Sequence, residues 1–364
     1  MILKKVHYTN FRNIEDAEMT FCPGVNLLYG DNAQGKTNAL EGIYLFAAGR
    51  SHRTAHERDY IRFGEEFAKV NIECENAERT FSLEMRYLKN GRKFCKKNGL
   101  PLKKMSELIG NFRAVLFYPK HLNIVSEGPK ERRAYIDGAL AQTDPVYLYE
   151  LQKYNMALLQ RNKLLAEYPF YPQNFEETGD LWAEHLASSG EILSRKRAEF
   201  VESVEKEVQR IFAEMTGGGE TPELRYRTQM TKEEYLRLYE ENKKREIKAG
   251  ATLYGVHKDE VEIFLNNKPA RGFASQGQQR SLAVAMKLAE GEISRQKTGE
   301  HPVYLLDDVF SELDEGRRQF ILSGLAGRQV LITGCDARDA GMIPEGIPDG
   351  EVIAVEAGKY QKIR

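Results

Sequence analysis

The stretch LLYGDNAQGKTNALEGIYLF, residues 27–46, decides how this chain is read. Within it Gly30, Gly35, Lys36 and Thr37 fit G-x-x-x-x-G-K-[ST], a loop that wraps a phosphate. The glycines let the backbone turn so that successive N–H groups converge on an anion. A helix starting near Lys36 aims its positive end at the same point. Asp31, Asn32, Ala33 and Gln34 complete the loop, and Asn38 follows it. Lys36 would supply a point charge for the β- and γ-phosphates, and the Thr37 hydroxyl a place on Mg²⁺. The flanks suit the motif: GVNLLY (24–29) is a short apolar strand, and Leu40, Ile43, Tyr44 and Ala47 recur at helical spacing. The competing reading is a glycine turn that merely closes a βα unit.

The whole chain sets limits on the partners. Its 364 residues suffice for a main domain with a smaller one attached. Net charge is −1, so nucleic-acid binding has to come from local basic patches. Cys22, Cys74, Cys95 and Cys335 lie far apart, with no C-x-x-C pair, which argues against a disulfide framework or a zinc site and for a reducing cytoplasm. The start, MILKKVHYTNFRN, lacks an apolar signal core, and apolar runs such as AVLFY (114–118) are too short to cross a bilayer. A soluble, cytoplasmic protein with no membrane partner is expected.

Three parts follow from the patterning. Residues 1–120 read as strand-rich with two helices, and the Asn-Gly of KNGRK (89–93) marks a hairpin turn. Residues 121–249 read as helical, with one apolar face running from Trp182 through Leu193 and Val204 to Met215 and stopping at TGGGE (216–220). Ser189, Lys196 and Arg197 interrupt any heptad seam, so this helix is expected to be packed core of a lobe rather than a coiled-coil arm. From residue 250 strands return, with a hairpin around Asn266-Asn267. The expected domains are a discontinuous head, 1–120 with 250–364, and a helical lobe, 121–249.

The second half supplies the remaining chemistry. Val303 to Leu306 run straight into Asp307 and Asp308. A carboxylate at the end of a strand beside the phosphate-loop strand holds Mg²⁺, and Asp307 fills that role, while Asp308 would orient or deprotonate the attacking water. Ser275, Gln276 and Gly277 open a helix with a serine cap beside a glycine, an anion-binding helix end.

Taken together, YTNFRN (8–13), YGDNAQGKTNALEGIY (29–44), GRSHRT (49–54), RNKLL (161–165), ASQGQQR (274–280) and LLDDVFSELD (305–314) resemble the RecF family of bacterial recombinational repair. The resemblance implies an α/β P-loop ATPase head of ATP-binding cassette type, a mixed sheet with an antiparallel β subdomain, plus an inserted helical lobe. It implies ATP and Mg²⁺ as cofactors, an ATP-dependent homodimer, and slow hydrolysis that times release. It also implies binding to gapped or single-strand/duplex junction DNA, together with RecR and RecO mediators that load RecA on strand covered by single-strand-binding protein. On this chain Lys36 then contacts phosphate, Thr37 and Asp307 hold Mg²⁺, and Asp308 stands for the cassette family's catalytic glutamate. Ser275, Gln276, Gly277 and Gln278 form the signature that covers the partner's nucleotide, and Ser311 to Asp314 form the loop at the dimer seam. Three places depart from the family pattern: Lys120-His121 where two acidic residues are expected, YGVHKDE (254–260) for Gly-Pro-His-Arg-Asp-Asp, and LITGCD (331–336) with no switch histidine.

DNA contact has to be argued locally. Lys89, Arg92, Lys93, Lys96 and Lys97, with Arg86, Lys103 and Lys104 nearby, crowd one hairpin around Tyr87 and Phe94. Such a strip suits phosphate binding, and it equally suits a lysine-protected sheet edge. Arg132 and Arg133 serve either DNA or ion pairs, and His257 is either structural or functional. Two other classes share the nucleotide chemistry: the ATPase subunit of a membrane transporter, and a scaffold that holds nucleotide as a structural cofactor.

Overall fold

In the computed structural model residues 1–335 and 350–363 are described. The chain divides into two compact units, Met1–Asn123 with Arg280–Arg364, and Ile124–Gln279.

The first unit opens with strands β1 (Ile2–Phe11), β2 (Ile14–Thr20) and β3 (Val25–Tyr29), followed by helix α1 (Lys36–Ala48). Strands β4 (Phe67–Glu75), β5 (Thr80–Leu88), β6 (Lys93–Lys97), β7 (Leu100–Pro101) and β8 (Ala114–Phe117) follow. One α-helix forms here where two were expected; Glu57–Tyr60, Met105–Glu107 and Pro119–Asn123 are only short 3₁₀ turns.

The second unit contains α2 (Pro129–Thr143), α3 (Pro145–Glu167), α4 (Pro172–Thr216), β9 (Pro222–Tyr226), α5 (Lys232–Ala249), β10 (Val261–Leu265), β11 (Lys268–Pro269) and α6 (Ala270–Phe273). Helix α7 (Gln276–Thr298) leads back to the first unit, which ends with β12 (Val303–Leu306), α8 (Glu315–Gly324), β13 (Val330–Gly334), β14 (Glu351–Glu356) and β15 (Lys359–Lys362).

Two six-stranded sheets build the first unit. One is antiparallel, in the order β2-β1-β4-β5-β6-β7, and its strands alternate buried and exposed as one-sided sheets do. The other runs β15-β14-β3-β13-β12-β8, parallel throughout except for β15. Its strands β8, β12 and β13 are buried at every position, the pattern of parallel strands covered on both faces. The buried amide of Gln329 joins the sheets like a piece of backbone: it accepts from Leu3 N at 2.7 Å and donates to Leu3 O at 2.8 Å.

In the second unit the residues that interrupt the heptad of α4 are its polar contacts. Ser189 donates to Glu150 at 2.7 Å, Lys196 pairs with Asp144, and Arg197, 2% exposed, reaches Asp137 at 2.9 Å and Asp259 at 3.2 Å. The segment 250–279, assigned from sequence to the head, instead groups with this unit. The reason is pairing at a distance: β10 lies antiparallel to β9, Ile263 against Leu224, and the Asn266-Asn267 turn, with φ of 50° and 61°, carries the chain into β11.

Helix α1 is keyed to β1. Tyr8 donates to Ala39 O at 2.7 Å, and a Cβ on Gly42 would lie 2.5 Å from Tyr8 Cε1. Gly42→Ala gains about 1 kcal/mol of helix propensity, but overpacking of this kind typically costs about 1–3 kcal/mol. The urea midpoint of Gly42→Ala is therefore expected to fall; a raised midpoint would show that Tyr8 repacks freely.

Candidate functional site

The parallel register lines up the ends of β3, β13 and β12. Strand β13 lies between the other two, so the strand that ends at Asp307 is one place removed from the phosphate-loop strand and not its neighbour as the sequence suggested. The loop 30–35 leaves β3, and Gly30 is required by close approach: a Cβ there would lie 2.2 Å from Val355 O. The β14–β15 hairpin grips the loop. Gln34 Oε1 accepts from Ala357 N at 2.6 Å, Gln34 O from Gly358 N at 2.8 Å, and Gly35 O from the Tyr360 hydroxyl at 3.1 Å. From the other side Asn13 donates to Gln34 O at 3.1 Å and accepts from Asn38 at 2.8 Å. These anchors on Gln34 and Asn38 were not legible in the motif.

Lys36 is 7% exposed, and its ammonium donates to the carbonyls of Gly30 (2.5 Å) and Asp31 (2.7 Å). It also lies 3.3 Å from Cys335 Sγ, whose thiol is 2.9 Å from Asn32 Oδ1. The next residue of LITGCD, Asp336, lies outside the described residues.

Asp307, 4% exposed, stands at the end of β12, and its Oδ1 accepts from Thr37 and from Thr333, each at 3.0 Å. Burial pushes its carboxyl above the ordinary value, and the two hydroxyls oppose that. Thr333 also accepts from Asp308 N at 2.8 Å. It is a polar residue in the apolar run VLITG, a signal that sequence reading passed over. Asp308 is exposed, with φ of 52°. The pair Thr37 and Asp307 offers a hydroxyl and a carboxylate oxygen side by side, the hard-oxygen donor set that suits Mg²⁺ held jointly with phosphate and water.

Below the loop a second buried acid, Glu41, accepts two hydrogen bonds from Arg12 (2.6 and 3.0 Å), one from Ser51 (2.5 Å) and one from Arg53 (3.1 Å). Burial alone would raise its carboxyl; the Arg12 and Ser51 bonds with the two guanidinium charges outweigh it and hold it below the ordinary range. Arg53 also donates to Asn38 at 2.6 Å, which explains why YTNFRN and GRSHRT accompany the phosphate loop. His121 packs on Tyr118 with ring centroids 4.2 Å apart, and burial holds it well below its ordinary value, a neutral core ring.

The remaining candidates have partners of their own. Ser275 caps α7: its Oγ accepts from Gln278 N at 3.2 Å, and Gln278 Oε1 accepts from Ser275 N at 2.7 Å, the reciprocal capping box. Gln276 and Gly277 form the first turn. In the basic hairpin Lys89 pairs with Glu66, Lys93 with Glu57 and Lys96 with Glu84, while Lys97 donates to Asn111 at 2.5 Å. Among the described residues Arg92 has no ion-pair partner. Arg132 is buried in a two-bond pair with Glu260 (2.7 and 2.9 Å), and Arg133 donates to Asp259 O at 2.8 Å, so ion pairing and packing occupy both. His257 accepts or donates at 2.7 Å to the Tyr154 hydroxyl and lies 3.1 Å from Thr252 O. No helix among the described residues is long and apolar enough to cross a membrane.

A glycine-rich loop at the end of a parallel strand, a strand-end carboxylate beside it and an antiparallel β subdomain define an ATPase head of the kind shared by ATP-binding cassette and SMC proteins. Residues 2–338 match the RecF/RecN/SMC N-terminal domain model. The Smc head domain with an extended coiled coil from Pyrococcus furiosus, 17% identical, has the same fold with a TM-score of 0.57 over 99% of this chain and 95% of that one.

The chain belongs to the RecF family of DNA replication and repair proteins. It is 37% identical to the RecF of Acetivibrio thermocellus over 369 residues, 99% of each chain, and 37% identical to that of Lachnospira eligens over 334 residues, 92% of each. The solved structure of the recombination mediator protein RecF-ATPrS in the RecFOR pathway is 32% identical, with a TM-score of 0.91 over 100% of this chain and 98% of that one.

Burial pushes His257 and His52 each down to about 4. Both rings stay neutral in the folded chain, while in the unfolded chain they take up a proton near pH 6.5. Their contribution to stability is complete above pH 6.5 and is lost as the pH falls towards 4, by at most about 3 kcal/mol each. His257→Gln is expected to flatten the acid limb of the urea midpoint between pH 6.5 and 4.5; an acid limb identical to wild type would exclude this role.

Proposed function

We propose that this chain is an ATP-dependent DNA-binding protein of recombinational repair and replication restart. The reading rests on the relay of Thr37, Asp307 and Thr333 beside Lys36, at the edge where a nucleotide's phosphates meet the helix N-terminus. Lys36 exchanges its two loop carbonyls for oxygens of the β- and γ-phosphates. The N–H groups of residues 30–38 hold the chain of phosphates in line. Thr37 and Asp307 would hold Mg²⁺, whose charge offsets that of the phosphates when it is bound. Asp308, exposed one residue beyond, orients the attacking water and takes its proton. With a single aspartate for the usual glutamate and no histidine in LITGCD, hydrolysis is slow, weakly stimulated by DNA, and serves to time release.

Ser275, Gln276, Gly277 and Gln278 of one copy cover the nucleotide of the other, so binding ATP makes a homodimer. That dimer engages gapped or junction DNA and works with RecR and RecO mediators, in keeping with the pathway of the 32% identical RecF structure. Lys89, Arg92, Lys93, Lys96 and Lys97 form the proposed DNA strip, where phosphates displace the carboxylates of Glu57, Glu66 and Glu84.

Light scattering with ATP and Mg²⁺ tests the core of this reading. Wild type is expected to dimerise only with ATP, Ser275→Arg to stay monomeric, and Asp308→Asn to dimerise with hydrolysis slowed by roughly 10²-fold or more. Equal hydrolysis by monomers of all three would leave a self-contained P-loop enzyme. For the strip, Arg92→Ala is expected to lower the slope of log K against log salt on duplex DNA by about 0.9, one phosphate contact. An unchanged slope would return the hairpin to edge protection.

A further inference from the structure

Helix α4 ends in three glycines, Gly217, Gly218 and Gly219, with φ of 77°, 84° and 86°. Capping accounts for the first two, whose N–H groups both reach Ala213 O. It does not account for Gly219. A Cβ on any of them would meet nothing within 4 Å, so the left-handed backbone and not a lack of space calls for glycine. The loop is clamped just beyond: Thr221 N donates to Asn266 Oδ1 at 2.8 Å, and Asn266 N donates to Thr221 O at 3.0 Å. Between these fixed points the chain delivers Glu220, whose Oε1 accepts from Gln278 Nε2.

We infer that Glu220 is a positioning residue for the signature helix, which it serves by fixing the side-chain amide of Gln278; this rests on the signature reading above. A carboxylate only accepts, so Nε2 of Gln278 has to face Glu220. Its Oε1 is thereby turned to Ser275 N, and a flipped amide would set donor against donor and open the cap. Ser275 Oγ in turn accepts from Gln278 N, and its own O–H points to no acceptor among the described residues. Ser275 is exposed, so that hydroxyl is the donor presented to an incoming phosphate oxygen. The run TGGGE is thus more than a helix stop: it brings an acceptor to the second residue of the capping box.

The test compares wild type, Glu220→Ala and Glu220→Gln by light scattering in ATP and Mg²⁺, with the affinity of the monomer for a fluorescent ATP analogue and the thermal midpoint measured beside it. Glu220→Ala is expected to weaken the ATP-dependent dimer about tenfold, with nucleotide affinity and thermal midpoint at wild-type values. Glu220→Gln keeps an acceptor and is expected to restore the dimer. If both variants tighten the dimer, the carboxylate opposes the phosphate by its charge and the positioning role is overturned. No change in either variant, or a shared fall in thermal midpoint, overturns it too. A wild type that stays monomeric with ATP removes the signature reading and this role together, an outcome distinct from a wild-type dimer indifferent to Glu220.

Discussion

The burial of Asp307 is the constraint from which the nucleotide site is built. A carboxylate almost out of water is costly unless it accepts hydrogen bonds, and here two threonines provide them. Each comes from a different neighbour: Thr37 from the first turn of α1, Thr333 from β13. For both to reach one oxygen, β12 has to lie beside β13 in the register that sets Leu306 against Ile332, and α1 has to start where Gly35 ends the loop. The acid therefore fixes the relative placing of the elements around it, and the anchors on Gln34 and Asn38 keep the loop from drifting away.

The helical unit solves the same problem with the opposite charge. Arg197 sits in the middle of a 45-residue helix and is met by Asp137, Asp259, the Tyr147 hydroxyl and the Val256 carbonyl. All four partners lie outside its own helix, 50 to 62 residues away in sequence. A charge buried in that way specifies which segments assemble, and removing one partner typically costs several kcal/mol, about 3–5, because the rest is left uncompensated. YGVHKDE departs from the family wording yet keeps His257 and Asp259, the two side chains through which that turn joins the network.

Local signals made much of this legible. The phosphate loop, the apolar strand running into Asp307-Asp308, the serine cap at Ser275 and the Asn266-Asn267 turn are each written within a few consecutive residues. What escaped the sequence depends on pairing at a distance. Nothing in residues 250–279 says that β10 will lie against β9 rather than in the head. Likewise the lysines of the basic hairpin read as free charge until the fold sets Glu57, Glu66 and Glu84 beside them. Thr333 and Gln329 look like ordinary polar residues at strand ends, and only the three-dimensional neighbours reveal one as an acid's donor and the other as a bridge between sheets.

The order of the strands has a consequence for the birth of the protein. Strand β3 carries the phosphate loop at its end, yet both of its neighbours, β13 and β14, begin about 300 residues later. At ribosomal speeds of about 5–20 residues per second, the apolar segment VNLLY waits roughly 15–60 seconds for either edge to be covered. The contiguous helical unit ends at Gln279, about 50 residues before β13 begins, so late nascent chains carry a finished lobe and an unfinished head. Premature release or stalling late in translation exposes an unpaired apolar strand, and the burden on chaperones falls on the head alone.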